Sequence, residues 1–177
     1  MQKKIITPRL VLDSIKDADK DAFIEIFRHD TVKATYMLPD LENDEKATAL
    51  FERIKKLSEQ TDRYVYGIYL DGKAIGLIND TDIDEKTIEI GYALHPDLHS
   101  NGYMTEAVKA IITALFERGF ETVTAAAFEE NTASFRVMQK CGMERIDKTE
   151  TLEYREKSHI CIYYAIKKST LMNATDV

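Results

Sequence analysis

The sequence predicts a single α/β domain built on a mixed sheet of about seven strands. Some stretches place apolar residues with period two and others place them at spacings of three and four. An Asp71-Gly72 pair sits between two alternating runs, a strong hairpin signal. One long amphipathic segment separates two strand-like runs, which makes those two strands parallel neighbours joined by a right-handed crossover. The chain has 177 residues, which suits one compact domain. That domain is expected at residues 1–170, with a frayed tail at 171–177.

RLVLDSI (residues 9–15) alternates, is rich in branched residues and reads as a first strand. In DAFIEIFRH (21–29), Ala22, Phe23, Ile26 and Phe27 share one helical face, with Asp17 or Asp19 as cap. A longer helix covers about residues 44–60, where Ala47, Leu50, Phe51, Ile54 and Leu57 recur at helical spacing. YVYGIYL (64–70) and KAIGLIND (73–80) form the hairpin around Asp71-Gly72. The acidic run 80–85 reads as a loop or second turn, and TIEIGYAL (87–94) returns as the next strand, completing an antiparallel meander. A third long helix follows at about 103–118 and buries Ala107, Val108, Ile111, Ile112, Leu115 and Phe116, with Gly119 just past its end. ETVTAAAF (121–128) is the strand that lies parallel to 87–94. Asn131 starts a helix that runs to about Lys140 and stops at Gly142. Residues 143–151 and 159–167 close the sheet as an antiparallel pair.

Composition excludes several classes. The net charge is −7, and affinity for nucleic-acid phosphates comes from clustered Lys and Arg. Cys141 and Cys161 form no CxxC pair, and with no secretion signal they point to a reduced, cytoplasmic protein. The four histidines, His29, His95, His99 and His159, stand at no metal-ligand spacing, so no metal is expected. No apolar run approaches the roughly 20 residues of a membrane span.

The segment HPDLHSNGYMTEAV (95–108) changes from a polar loop to a regular helix at Gly102. A helix N-terminus presents backbone N–H groups without intrahelical partners and a partial positive charge. A loop curled over that end can aim several N–H groups at one anion, usually a phosphate. Gly102 would allow close backbone approach, and Ser100 and Asn101 tolerate the turn this requires. Neither a Walker A loop nor a GxGxxG fingerprint is present. On these residues alone, an anion cradle and a simple strand–turn–helix junction both remain open.

The stretch LHPDLHSNGYMTEAV closely resembles the coenzyme-A loop of the Gcn5-related N-acetyltransferase (GNAT) superfamily. There a strand ends near a Pro, a Q/R-x-x-G-x-G/A pattern follows, and a helix begins. The pattern here runs His99, Ser100, Asn101, Gly102, Tyr103, Met104. The Gly102-Tyr103 pair and Thr105-Glu106-Ala107 are similar to the branch of ribosomal-protein N-terminal (RimJ/RimL-like) acetyltransferases. ITPRLVLDSIKDAD resembles that branch's opening. NTASFRVMQKCGM resembles its second cofactor motif through Asn131, Ser134, Lys140 and Gly142, with Met143 replacing Phe. The resemblance spans about residues 6–167. Within the loop motif two positions depart from the pattern: His99 replaces Gln or Arg, and Met104 replaces a small residue and must point away from the phosphates.

The resemblance implies a GNAT fold and acetyl-CoA as cosubstrate, with transfer by direct attack in a ternary complex. It implies cofactor contacts from Tyr92, Ala93 and Leu94, from His99, Ser100, Asn101, Gly102, Tyr103, Met104 and Thr105, and from Asn131 and Ser134. Glu89 stands where the family often has an acidic residue beside the incoming amine. Strand alternation puts it on the face opposite Ile88 and Ile90, where it is either a general base, acting directly or through water, or a solvent-facing strand residue. Many relatives use a Tyr seven residues after the Asn, and that position here is Met138. Ser134 is then either the proton donor to the thiolate or a pantetheine contact, unless no acid is needed. Asn131 caps its helix, bonds a pantetheine amide, or does both. Glu129, Glu130, Asp80 and Asp82 make either an acidic mouth for an ammonium group or a solvated rim. Tyr36, Met37 and the helices between the first two strands cover the acceptor side in this family.

The acceptor expected is a primary amine, foremost a protein N-terminal α-amine. An α-amine has a reference pKa of about 7.7–8.0 against about 10.4 for lysine, so roughly a tenth or more is neutral at pH 7. A lysine amine would need about 3–4 kcal/mol more help. The alternatives are a small-molecule amine (polyamine, amino acid or drug) and a non-catalytic acyl-CoA-binding module. The protein is expected as a monomer or homodimer, with no nucleic-acid or membrane partner.

Overall fold

A computed structural model describes residues 4–174. Among the described residues there are eight strands: β1 (Ile5–Ile6), β2 (Leu10–Asp13), β3 (Tyr66–Leu70), β4 (Lys73–Asp84), β5 (Thr87–Leu94), β6 (Thr122–Phe128), β7 (Glu144–Tyr154) and β8 (Lys157–Lys167). They form one mixed sheet in the order β1-β2-β3-β4-β5-β6-β8-β7. The helices are α1 (Lys20–Arg28), α2 (Asp30–Thr35), α3 (Asp44–Ser58), α4 (Tyr103–Glu117), α5 (Thr132–Lys140) and α6 (Lys168–Ala174). The expected crossover is present: β5 and β6 pair in parallel from Thr87↔Thr122 to Glu89↔Thr124, with α4 between them in sequence. β8 then pairs antiparallel with both β6 and β7.

Chain contacts gather the residues up to Asp80 with Tyr92–Ala107 in one compact unit. Thr81–Gly91 and the chain from Val108 onward make a second. In the first, the apolar stripe of α1 packs where its spacing predicts. Phe23, Ile26 and Phe27 are all at most 1% exposed, and the Phe23 ring meets Phe27 and Phe51 at 5.7 and 6.2 Å. In the second, Val108, Ile111, Ile112 and Leu115 of α4 are equally buried. Phe128, Cys161 and Tyr163 form a smaller apolar group there, with His159 stacked on Phe128 at 4.2 Å.

Several expectations need correction. β1 adds a short eighth strand. The acidic run is no loop, because β4 continues to Asp84 and the chain turns only at Glu85, whose φ is 47°. Thr81, Asp82, Ile83 and Asp84 are all exposed, so burial leaves no alternating signal on that stretch. The chain after α1 forms a separate helix, α2, because His29 takes an extended conformation and its Nδ1 accepts the Thr31 N–H at 3.2 Å. The closing hairpin runs further than expected and turns through Arg155 and Glu156, at φ 50° and 61°. Two consecutive left-handed residues are what a type I′ hairpin turn demands. Of the tail expected to fray from 171, residues 171–174 lie in α6 and 175–177 lie outside the described residues.

Candidate active site

The loop between β5 and α4 keeps its turn by local bonds. Ser100 and Gly102 both have positive φ, 65° and 79°. The Asn101 side chain folds back, its Nδ2 donating to the carbonyls of Leu98 and His99 at 3.2 and 3.0 Å. His99 turns towards its own strand, with Nε2 at 3.2 Å from the Leu94 carbonyl. Both side chains are thus bonded to carbonyls of the nearby backbone. The helical bond from Glu106 N–H to the Gly102 carbonyl, at 3.0 Å, ties the loop into the first turn of α4. Met104 is buried, 7% exposed. Ala93 and Leu94 are buried at the end of β5, and Tyr92 is half-buried.

Gly76 was not foreseen as a site residue. A Cβ there would lie 2.4 Å from the Ala93 carbonyl oxygen and 3.1 Å from the Leu94 Cα. The glycine lets β4 approach this stretch closely, and its signal in the sequence is an isolated Gly inside a strand.

Glu89 lies half-buried in β5, between Ile88 and Ile90, which are at most 1% exposed and face the other way. Its Oε1 accepts the Thr81 hydroxyl at 2.8 Å. Register carries this face across the sheet. Glu89 is opposite Thr124, Ala126 is opposite Tyr163, and Cys161 is opposite both Phe128 and Glu150. Alternation along each strand then sets Glu89, Tyr163, Cys161 and Glu150 on one side. The Tyr163 hydroxyl donates to Glu150 Oε2 at 2.8 Å. Burial, the Glu150 bond and the Glu89 charge all push the Tyr163 phenol above its ordinary pKa, so it stays protonated. Glu150 in turn is held below the usual carboxylate range by the Tyr163 bond and then by Lys148, whose Nζ is at 3.2 Å. The sequence gives no local signal for Tyr163 or Glu150, because strand pairing alone brings them to this face.

Asn131 caps α5, its Oδ1 accepting the Ser134 N–H at 3.2 Å. Ser134 is half-buried on that first turn. Met138 is 1% exposed and carries no proton to give. The four acidic residues read as a mouth or a rim do not share one fate. Asp80 is neither, since its side chain is 2% exposed and is paired with Arg63 Nε at 2.6 Å. Glu130 meets His159 Nδ1 at 2.6 Å, while Asp82 and Glu129 are exposed. Burial raises the Cys141 thiol to about 11. Cys161 is raised as well, by burial first and then by neighbouring carboxylates. Neither thiol is thus primed as a nucleophile. Among the described residues no group of three or more His, Cys, Asp or Glu is placed to hold a metal ion. No described helix is long and apolar enough to cross a membrane.

Residues 9–144 match the family model of the acetyltransferase (GNAT) domain. The chain is 30% identical over 144 residues to the uncharacterized N-acetyltransferase YoaA of Bacillus subtilis (strain 168), covering 78% of this chain and 81% of that protein. The fold is similar to that of a GNAT-family acetyltransferase from Bacillus anthracis, with TM-score 0.82, 22% identity and coverage of 94% and 99% of the two chains. It is also similar to RimL, a ribosomal L7/L12 α-N-protein acetyltransferase in complex with coenzyme A. There the TM-score is 0.79 and the identity 19%, over 93% of this chain and 98% of that one.

Proposed function

The chain belongs to the GNAT acetyltransferase family, and from that premise we propose that its acceptor is a protein N-terminal α-amine. The whole of residues 1–170 is read as the catalytic domain. Direct attack of the amine on the acetyl-CoA thioester requires a neutral amine, and Glu89 is the group that takes its proton. The observation that carries this reading is the position of Glu89: half-buried on the sheet face and, among the described residues, held by one neutral hydroxyl and by no cation. Glu150 on the same face is a poorer base, because Tyr163 and Lys148 already stabilise its charge. One unassisted carboxylate suffices for an amine of pKa about 8, a tenth of which is neutral at pH 7, but falls short for a free lysine amine. The α-N-protein acetyltransferase activity of RimL agrees in direction.

Thiol release from acetyl-CoA against a panel of amines tests the proposal. N-terminal peptides should give the highest kcat/KM at neutral pH, above N-acetyl-lysine and polyamines. A polyamine, amino acid or drug that outruns every peptide would assign a small-molecule acceptor instead. Cofactor binding without thiol release from any amine would make the chain a binding module.

The pyrophosphate of acetyl-CoA sits on the backbone N–H groups of residues 100–105 in this reading. Gly102→Val should then weaken acetyl-CoA binding about tenfold or more by calorimetry. The cause is conformational: at φ 79° a β-branched residue is strained, while a Cβ would meet only Arg9 Nη2, at an ordinary 3.5 Å. Affinity equal to the parent would remove the assignment.

Ser134 is the proton donor to the departing thiolate, since Met138 cannot serve. Ser134→Ala should lower kcat on acetyl-CoA, and Met138→Tyr in that background should restore part of it. A rise in KM alone, with Met138→Tyr inert, is the pattern of lost uniform binding and would reduce Ser134 to a pantetheine contact.

A further inference from the structure

We propose that Arg9 and Glu106 are positioning residues for acetyl-CoA. They fix the Asn101–Gly102 peptide so that its N–H is displayed to the pyrophosphate; this rests on the reading of that loop as the cofactor site. Glu106 lies in the first turn of α4, and its carboxylate is fully used. Oε1 accepts the Thr7 hydroxyl at 2.6 Å and the Arg9 backbone N–H at 2.9 Å, and Oε2 accepts Arg9 Nε at 2.7 Å. Thr7 is itself fixed, because its Oγ1 accepts the Leu10 N–H at 2.9 Å. The guanidinium is thereby anchored along one edge, and its other end reaches the loop. Nη1 donates to the Asn101 carbonyl at 3.0 Å, and the guanidinium carbon lies 4.5 Å from the centre of the Tyr103 ring.

The Asn101 contact matters because of peptide geometry. In a trans peptide the C=O and the following N–H point in opposite directions. A guanidinium that holds the Asn101 carbonyl therefore turns the Gly102 N–H away from itself. Gly102, free to take either sign of φ, would otherwise let this peptide rotate. Burial by itself would raise the Glu106 carboxyl, but the Thr7 and Arg9 bonds together hold it below the usual range, so the anchor is charged at neutral pH. The Arg9 side chain is 45% exposed and that of Glu106 16%, so water screens the pair from the Arg9 side and limits its contribution to folding. The pair shapes the loop more than it holds the fold.

Acetyl-pantetheine, which carries the thioester without the pyrophosphate, is the discriminating probe. In Arg9→Ala the ratio of kcat/KM for acetyl-CoA to that for acetyl-pantetheine should fall about tenfold, with the loss in the acetyl-CoA KM. Arg9→Lys should recover little of it, because one ammonium cannot bond Glu106 and the Asn101 carbonyl as a fork does. Glu106→Gln keeps two of the three bonds and should fall between. An equal loss on both thioesters, with a lowered melting temperature, would show a merely structural pair and overturn the proposal. An unchanged ratio in Arg9→Ala, beside weakened acetyl-CoA binding in Gly102→Val, would overturn it and leave the loop reading standing. Parental acetyl-CoA binding in both variants would overturn the two together.

Discussion

Glu89→Gln is expected to lower turnover by about 10²–10⁴-fold at neutral pH, the usual contribution of a positioned general base. Glutamine has the same shape and can still accept the Thr81 hydroxyl through its carbonyl oxygen, so the strand and its neighbours should not move. What is lost is the capacity to take a proton. The defect should therefore lie in kcat, with acetyl-CoA affinity close to the parent. It should also shrink as the pH is raised, because a larger share of an α-amine with pKa about 8 is then neutral without help. A series of rates from below to above that pKa tests both statements. Parental turnover at neutral pH would leave Glu89 an ordinary strand residue.

The parts of this molecule that were legible in the sequence are those fixed by neighbours in the chain. The stripe of α1 and that of α4 face the interior because helical spacing puts Phe23 beside Phe27 and Val108 beside Ile111 and Ile112. Strand alternation set Glu89 against Ile88 and Ile90. Asn131 caps a helix through a bond only three residues long. The turn at Gly102 was legible for the same reason, since the residues that shape it are consecutive.

What escaped notice depends on distance along the chain or on solvent. Thr81–Asp84 extends β4 with no buried side chain to mark it. Arg9 and Glu106 are both visible inside resembling motifs, but their bond spans 97 residues and no spacing announces it. Tyr163 reaches the Glu89 face only through the pairing of β6 with β8. Asp80 was misread for a related reason: within an acidic run it looks solvated, and only the folded chain brings Arg63 against it.

That ion pair carries the largest expected effect on stability. The Asp80 carboxylate is 2% exposed, with Arg63 Nε on Oδ2 at 2.6 Å and the Tyr64 N–H on Oδ1 at 2.7 Å. Arg63→Met keeps much of the side-chain length but leaves a buried carboxylate with a single backbone donor. Stranding a buried charge in this way costs about 3–5 kcal/mol, a large share of a typical stability of about 5–15 kcal/mol. Arg63 itself is 35% exposed, so water can partly replace it, and the cost should lie near the lower figure. Asp80→Asn should cost less, because the amide oxygen still accepts from Tyr64 and the freed guanidinium can hydrate. The double replacement Arg63→Met with Asp80→Leu should recover much of the Arg63→Met loss, since no charge is then left buried. Asn79, next to Asp80, donates to the Asp80 carbonyl at 3.0 Å and accepts the Tyr36 hydroxyl. Urea unfolding of the three variants tests this ordering, and Arg63→Met within about 0.5 kcal/mol of the parent, the range of an ordinary surface change, would show that Asp80 does not depend on its partner.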